Sequence, residues 1–446
     1  MSPSNITART AALQALLAMK QNDGYSNLVL DGTLASAGLD RRDRALASAL
    51  FYGVLERRLT LDYYLAQCLR DPRKKPDPTA REALRCGAYQ ILYMDRVPDA
   101  AAVNETVNAL KALGGERYSG FVNGVLRGLI RKKRGLRLPE GTSPRALSLR
   151  YSVPEELICL WQRGYGEAVA QELLEASLTR PELYIRVNQT RTTGPELQAS
   201  LEQEGLTLAQ LEAPAGAAVL AGCGDPAELR QFQEGLFHVQ DLSAQWVCEI
   251  LNVRPGETVW DCCAAPGGKA FTLAQAMGGT GMVYATDLYP SRVRLMEEGA
   301  QRLGLENLAI LAGDATQEVQ NVPLVDKLLC DAPCSGFGVI RRKPEIRYKS
   351  LAQVKELPAL QRAILHRASE KLKPGGLLVY STCTWNPAEN RAVAEAFLKE
   401  HASFLPEKIE IGVTRTVEEP DYMLTMTPKA GASDGFFAAA FRKKQG

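Results

Sequence analysis

Apolar positions along the chain fall into three regimes. From the N-terminus to about residue 135 they recur at helical spacing. TARTAALQALLAMKQ carries Ala11, Leu13, Leu16, Leu17 and Met19 on roughly one stripe, and RDRALASALFYGVLERRLTLDYYLAQCL repeats the pattern with a broader face. TAREALRCGAYQILYM and DAAAVNETVNALKALG follow, parted by Val97-Pro98, and SGFVNGVLRGLIRKKRG closes the run. No strand-like alternation interrupts these segments, so five or six helices are expected to form a compact bundle. The Pro/Gly/Ser-bearing stretch GLRLPEGTSPRALSLR reads as a linker. From about 150 to 237 a helical segment, PEELICLWQRGYGEAVAQELLEASL, mixes with the short strands LYIRVNQT, GAAVLAG and GLFHVQD in a small α+β module. From 238 onward strands (ETVWDC, GMVYATD, LAILAGD, DKLLCDAP, GGLLVYST, GFFAAAFR) alternate with helices (KAFTLAQAM, PSRVRLMEEGAQRLG, LPALQRAILHRASEKL, PAENRAVAEAFLKEH). That alternation implies parallel pairing and a doubly wound α/β sheet, whose ligands sit at the carboxyl ends of strands near the switch point. The expected domains are therefore 1–138, 150–237 and 238–446.

Composition narrows the class. The 446 residues allow two or three domains, and 46% apolar with 23% charged residues is globular, which excludes disorder as the main state. No stretch approaches the ~18 apolar residues of a membrane span. The N-terminal segment lacks a basic flank, an apolar stretch and a small-residue cleavage site, which points to the cytoplasm. Ten cysteines scattered through a long chain suggest a reducing compartment and free thiols. The net charge of +2 hides an asymmetry: residues 1–150 carry 24 Lys and Arg against 14 Asp and Glu, and residues 151–446 carry 29 against 37. Cations collect at Arg41, Arg42, Arg44, Arg57, Arg58, Arg73, Lys74 and Lys75, and again at Arg131, Lys132, Lys133 and Arg134. Two readings stand: a solvated face with a basic helix end complementing the helix dipole, or a surface for an anionic macromolecule such as RNA.

The candidate chemistry lies at strand ends. Asp261-Cys262-Cys263-Ala264-Ala265-Pro266-Gly267-Gly268-Lys269 follows a strand and opens a helix, so small residues and unpaired N–H groups can approach a ligand closely. It is neither G-x-G-x-x-G nor a Walker A loop, which favours a nucleoside without a polyphosphate over a plain tight turn. Asp287 ends the next strand about twenty residues later, where a carboxylate accepts from two ribose hydroxyls. Asp314 ends the following strand, placed to accept from an exocyclic amine; each Asp alone is also a common strand-end cap. Cys334 and Cys383 follow the next two strands. A strand-end cysteine is usually an inert small hydrophobe, but two beside a nucleoside site invite covalent chemistry. Zinc is disfavoured, because Cys330-x-x-x-Cys334 and Cys262-Cys263 lack C-x-x-C spacing and His238, His366 and His401 lie elsewhere. A thiolate adding to carbon 6 of cytosine turns carbon 5 into a nucleophile for an electrophilic methyl group. Such a thiol needs a cation or helix N-terminus nearby, for which Lys269 is the candidate, and Asp331 is placed to hydrogen-bond the base.

DCCAAPGGKA, DAPCSGFGVIRRKPEIR, YSTCTWNPAEN and DGFFAAAFRKK resemble the signature blocks of S-adenosylmethionine-dependent RNA cytosine-5 methyltransferases. FYGVLERRLTLDYYL, LRCGAYQILYMDRVPDAAAVNETV and FVNGVLRGL resemble the NusB-type RNA-binding domain of the Sun/Fmu (RsmB-type) 16S ribosomal RNA methyltransferases, and RVNQT and GLFHVQDLSAQWV resemble that family's connecting blocks. The resemblance covers nearly the whole chain. It implies a Rossmann-like methyltransferase sheet behind an all-α NusB-like bundle, with Cys383 as nucleophile and Cys334 assisting release of the methylated base. It also implies an S-adenosylmethionine site lined by Cys263, Ala264, Ala265, Pro266, Gly267, Gly268, Lys269, Asp287, Arg292, Asp314 and Asp331, with 16S ribosomal RNA as partner. Ala270 and Thr384 depart slightly from the family pattern of Thr and Ser, which puts a hydroxyl role at 270 in doubt. By analogy with DNA cytosine methyltransferases Cys334 would attack instead. Arg341, Arg342, Lys343 and Arg347 beside the Cys334 block are expected on the RNA phosphates. Neither a membrane nor a metal is expected, and the chain is taken as a monomer. The competing functions are the same chemistry on another RNA such as tRNA, a non-catalytic NusB-like RNA-binding factor, and a nucleotide-dependent oxidoreductase, whose glycine fingerprint is absent.

Overall fold

A computed structural model describes residues 6–19, 26–73, 76–428 and 434–445. The chain divides into two compact units, one of residues 1–160, 174–179 and 340–349, the other of the remainder.

The first unit is helical: α1 (Ala8–Ala18), α2 (Ser26–Ala37), α3 (Arg41–Glu56), α4 (Arg58–Ala66), α5 (Pro78–Tyr93), α6 (Asp99–Ala112), α7 (Ser119–Lys132) and α8 (Pro144–Tyr151). Local chemistry starts several of them. Asp40 accepts from the Asp43 amide at 2.8 Å, and Asp77 accepts from the Thr79 amide at 2.9 Å with Pro78 opening the first turn. Among the described residues seven helices precede residue 135, not five or six. α2 was not expected, and the segment read as one helix breaks at Arg57 into α3 and α4. Pro144–Tyr151, the back half of the stretch read as a linker, is helical, with Ser143 accepting from the Ala146 amide at 3.3 Å. The helices close on a core that includes Leu13, Leu50, Phe51, Leu84, Leu110 and Leu126.

The second unit holds most of α9 (Glu155–Ala176), which kinks at Gly166, and a four-stranded antiparallel sheet. Its strands are β1 (Tyr184–Val187), β2 (Thr207–Gln210), β3 (Ala217–Ala221) and β4 (Phe237–Val239), in the order β2-β3-β1-β4, with α10 (Gly194–Glu202) and the short α11 (Arg230–Gln233) beside them. After α12 (Leu242–Leu251) comes the large sheet: β5 (Thr258–Asp261), α13 (Gly268–Ala276), β6 (Met282–Asp287), α14 (Pro290–Leu303), β7 (Leu308–Ala312), β8 (Val325–Asp331), α15 (Leu357–Ser369), β9 (Leu372–Thr382), α16 (Arg391–Glu400), β10 (Phe404–Pro406), β11 (Met423–Met426) and β12 (Phe436–Lys443). The order is β10-β12-β9-β8-β5-β6-β7, with β11 against β12. β5 to β9 pair in parallel, and the order reverses between β5 and β8, the switch point. The expected doubly wound sheet is there, with an antiparallel flank where β12 pairs β9. Its strands are apolar runs because both faces are covered. Leu329 and Val379 face a core with Leu273 and Met296, whereas Leu328, Cys330, Leu378 and Tyr380 face one with Ile364, Leu365 and Phe397. No helix among the described residues is long and apolar enough to cross a membrane.

The segment 340–349 lies between β8 and α15 in sequence yet belongs to the helical unit. Arg347 is wholly buried there. Its Nη1 donates to the carbonyls of Glu56 (3.0 Å) and Tyr151 (3.3 Å), and its Nη2 to those of Ser177 (3.1 Å) and Ile340 (3.2 Å). Glu56 and Tyr151 end α3 and α8, and Ser177 follows the last residue of α9. One guanidinium thus gathers carbonyls that three helix ends leave without internal partners, and their dipoles offset its charge. This corrects the expectation that Arg347 meets RNA phosphate. Arg347→Met should lower the unfolding free energy by about 3 kcal/mol, because four buried carbonyls lose their donors. Arg347→Lys should recover only part of it, since an ammonium lacks the fork that reaches all four. Urea denaturation of the full chain measures both, and an unchanged midpoint for Arg347→Met would refute the account.

Candidate active site

Every motif predicted to carry chemistry emerges at the carboxyl edge of the large sheet. The β5 strand is buried and ends at Asp261; the chain then turns through Cys262 to Gly267 and enters α13 at Gly268. The turn is pinned by the Cys262 amide on the Leu329 carbonyl (3.0 Å) and the Ala264 amide on the Thr286 carbonyl (2.8 Å), one bond to each neighbouring strand. Gly267 caps α13 with φ at 108°, and a Cβ there would lie 2.3 Å from the Phe271 ring. Only glycine fits, for conformation and for space. The first N–H groups of α13 follow directly.

Lys269, one residue into the helix, turns to Asp331 at the end of β8, with Nζ–Oδ2 at 2.6 Å. The other carboxylate oxygen of Asp331 accepts from Ser381 Oγ at 2.7 Å. Burial disfavours the Lys269 charge, but the Asp331 charge and hydrogen bond outweigh it and push the pKa up. Lys269 is therefore a fixed cation whose ion-pair partner is Asp331. Asp287, buried at the end of β6, accepts the Tyr289 amide at 3.0 Å and lies 4.0 Å from Arg292 Nη1. Asp314 is exposed two residues past β7, and its Oδ1 accepts from the Thr316 amide and hydroxyl at 2.9 and 2.7 Å. It caps its own turn, and the neighbouring Gly313 amide donates to the Asp287 carbonyl at 3.0 Å, which joins this turn to the end of β6.

The sulfurs of Cys334 and Cys383, 49 positions apart in sequence, lie 3.3 Å apart, and all ten cysteines are free. The hydrogen bond to Cys383 raises the Cys334 pKa well above the thiol range, and burial adds to it, with the charges of Cys383, Glu389 and Asp331. The shift favours the protonated form of Cys334. Three residues that the sequence reading passed over complete the picture. Glu389 and Asn390, in the same YSTCTWNPAEN block as Cys383, bond to residues adjoining both cysteines. Asp261 is wholly buried, and neither carboxylate oxygen has a hydrogen-bond partner. Its position at a strand end, like that of Asp287, was the available signal. Burial first, then the Asp331 charge, raise its pKa to about 7, against the opposing pull of Lys269 and the Cys263 amide. A buried carboxylate without donors calls for a ligand that brings them.

Among the cations, Arg41, Arg42, Arg44, Arg73 and Arg131 to Arg134 are exposed, whereas Arg57 lies over the Tyr93 ring and Arg58 over the Tyr348 ring. Lys74 and Lys75 fall outside the described residues.

Residues 248–442 match the model of the 16S rRNA methyltransferase RsmB/F family, residues 6–131 the NusB family, and residues 153–224 the ferredoxin-like domain of RsmF/B-like methyltransferases. The chain is 38% identical over 446 residues to a probable ribosomal RNA small subunit methyltransferase B of Synechocystis sp., covering 98% of this chain and all of that one. It is 36% identical to the probable ribosomal RNA small subunit methyltransferase B of Bacillus subtilis, covering 98% and 99%. Among solved structures, NSun6 from Pyrococcus horikoshii with SFG, an S-adenosylmethionine analogue, shares the fold at a TM-score of 0.61 and 22% identity, over 66% of this chain and 99% of that one.

Asp261 titrates near 7 in the folded chain against 3.8 ordinarily, so the folded state binds the proton more tightly than the unfolded chain. Stability from this group therefore falls as pH rises from about 4 to about 7 and stays low above. Asp261→Asn should leave the ligand-free protein as stable as wild type near pH 4 and more stable at pH 8, by a few kcal/mol. Thermal unfolding across that range compares the two; superimposable curves at pH 8 would count against a strained carboxylate.

Proposed function

Because the chain belongs to the 16S ribosomal RNA methyltransferase RsmB/F family, we propose that it is a cytoplasmic enzyme methylating carbon 5 of a cytosine in small-subunit ribosomal RNA through a Cys383 adduct. The observation that carries the reading is the pair of sulfurs at 3.3 Å on the carboxyl edge of the sheet, beside the turn that opens α13. The residues present fit S-adenosylmethionine. Asp261 offers an unpartnered carboxylate to a cationic amine, and the Cys263 to Lys269 turn offers the first N–H groups of α13. Asp287, held by the Tyr289 amide, offers acceptors for ribose hydroxyls, and Asp331 is oriented by Lys269. When bound, S-adenosylmethionine supplies an electrophilic methyl group on its sulfonium.

The protein's own part is nucleophilic catalysis and proton handling. The Cys383 thiolate adds to carbon 6, and the displaced ring electrons make carbon 5 nucleophilic. Once carbon 5 carries the methyl group, its proton must leave and the carbon–sulfur bond must break. As that bond breaks, Cys334 passes its proton to the departing Cys383 sulfur and takes the carbon 5 proton in turn. Both residues end as thiols, and one proton goes to solvent before the next addition. The raised pKa of Cys334 suits a residue that must keep its proton until release.

With 16S ribosomal RNA and cofactor, Cys334→Ser should accumulate a protein–RNA adduct that survives a denaturing gel, whereas Cys383→Ser should give neither adduct nor methylated product. The reverse pattern would exchange the two roles. The exposed cations of the helical unit are read as phosphate contacts, so RNA affinity should fall steeply with salt. The double substitution Arg41→Ala, Arg42→Ala should flatten the log–log slope by about 1 to 2, as filter binding measures; an unchanged slope removes these residues from the RNA surface.

A further inference from the structure

The two cysteines are gripped by two consecutive residues of one buried turn. Glu389 has no exposed surface. Its Oε2 accepts from the Ser335 amide at 2.8 Å and from Gln361 Nε2 at 3.0 Å, and its Oε1 accepts from Asn386 Nδ2 at 2.8 Å. Gln361 Nε2 also donates to the Pro333 carbonyl at 3.0 Å. The residues on both sides of Cys334 are therefore held, directly or through Gln361, by Glu389. Asn390, also buried, does the same for Cys383. Its Oδ1 accepts from Thr382 Oγ1 at 2.6 Å, and its Nδ2 donates to the Thr384 carbonyl at 2.8 Å. The Ser335 and Thr384 hydroxyls, each one residue past a cysteine, meet at 2.7 Å, and the Gly338 amide donates to the Cys383 carbonyl at 3.0 Å.

We infer that Glu389 is a positioning residue for Cys334: its carboxylate fixes the Pro333–Ser335 turn so that the Cys334 sulfur meets Cys383 when the methylated base is released. The inference rests on the cytosine reading above. It follows from what the site demands of residue 389. All three partners are donors, so only an acceptor on both oxygens satisfies them, and a carboxylate is the one side chain of this shape that qualifies. A glutamine fills the same space but sets its own N–H against a donor in either orientation. Burying an ionised carboxylate is unfavourable unless its lone pairs are filled, and two of the three donors here, the Ser335 amide and Gln361, tie it to the residues flanking Cys334. The negative charge of Glu389 also helps Cys334 keep its proton.

The test is Glu389→Gln in the full chain, beside Cys334→Ser. If Glu389 acts through Cys334, the variant should reproduce the release defect. The RNA adduct should accumulate, turnover should fall at least tenfold, and S-adenosylmethionine affinity by calorimetry should stay within about twofold of wild type. A merely structural role would instead weaken cofactor binding and adduct formation together. Should Cys334→Ser trap the adduct and Glu389→Gln not, the inference is overturned. Should Cys334→Ser itself trap none, the cytosine reading has failed and the inference falls with it. Gln361→Met, which deletes one of the three donors and the hold on Pro333, covers the case in which Glu389→Gln does not fold. It should trap a smaller fraction of adduct, and a wild-type absence of trapping also overturns the inference.

Discussion

Parallel register between β8 and β9 is the constraint on which the site depends. Cys330 pairs with Tyr380 and Asp331 with Ser381, so both strands end at the same edge and their following turns face one another. A parallel pair cannot be joined by a hairpin; it needs a crossover, and α15 is that crossover. The crossover helix does more than connect. Gln361 on α15 reaches the Pro333 carbonyl and the Glu389 carboxylate, so the element that makes the pairing possible also braces the turn carrying Cys334. β12 closes the other side of β9, and the residue preceding it joins in, since the Gly435 amide donates to the Gly338 carbonyl at 2.9 Å. Two sulfurs at 3.3 Å follow from strands that share a register and turns whose backbone groups are nearly all engaged.

The helical unit solves a different problem by the same accounting of polar groups. Three helix ends meet around one buried arginine, a side chain with enough donors to serve their last carbonyls. Arg347 does so by donating to carbonyls. Arg85, also buried, takes the other route, pairing its Nε with Asp62 and its Nη1 with Glu82, each at 2.7 Å. Sequence composition counts both arginines toward a basic front half or a basic loop, yet neither charge reaches the surface.

What was legible in the sequence follows from which physical signals are local. β5 to β9 were readable because strands covered on both faces become apolar runs bounded by Gly, Pro and Asp. β2 was not, since its burial is confined to Leu208 and its other three residues are exposed. The break between α3 and α4 at Arg57 carries no Gly or Pro and so left no mark. The positions of Cys334 and Cys383 at strand ends were readable, but their approach was not, because it is set by the pairing of strands whose partners lie about fifty residues apart. Asp314 shows what a strand-end Asp does locally: its Oδ1 accepts from the Thr316 amide and hydroxyl, a bond pattern that the sequence does not reveal. Arg347 misled because its carbonyl partners, Glu56, Tyr151 and Ser177, lie far from it in sequence.

Asp261 and Glu389 make the sharpest comparison in the molecule. Both are carboxylates with no exposed surface, and both sit near the carboxyl edge of the same sheet. Glu389 receives three donors from the protein, and Asp261 receives none. Burial and the Asp331 charge raise the Asp261 pKa toward neutrality, and Lys269 and the Cys263 amide offset them only in part. A carboxylate built to support its neighbours has its lone pairs filled by them. One that the fold leaves empty at a strand end is destabilising by itself and persists where something outside the chain completes it. By that criterion Glu389 belongs to the framework of the thiol pair and Asp261 to the ligand, a division that the amino-acid types alone do not express.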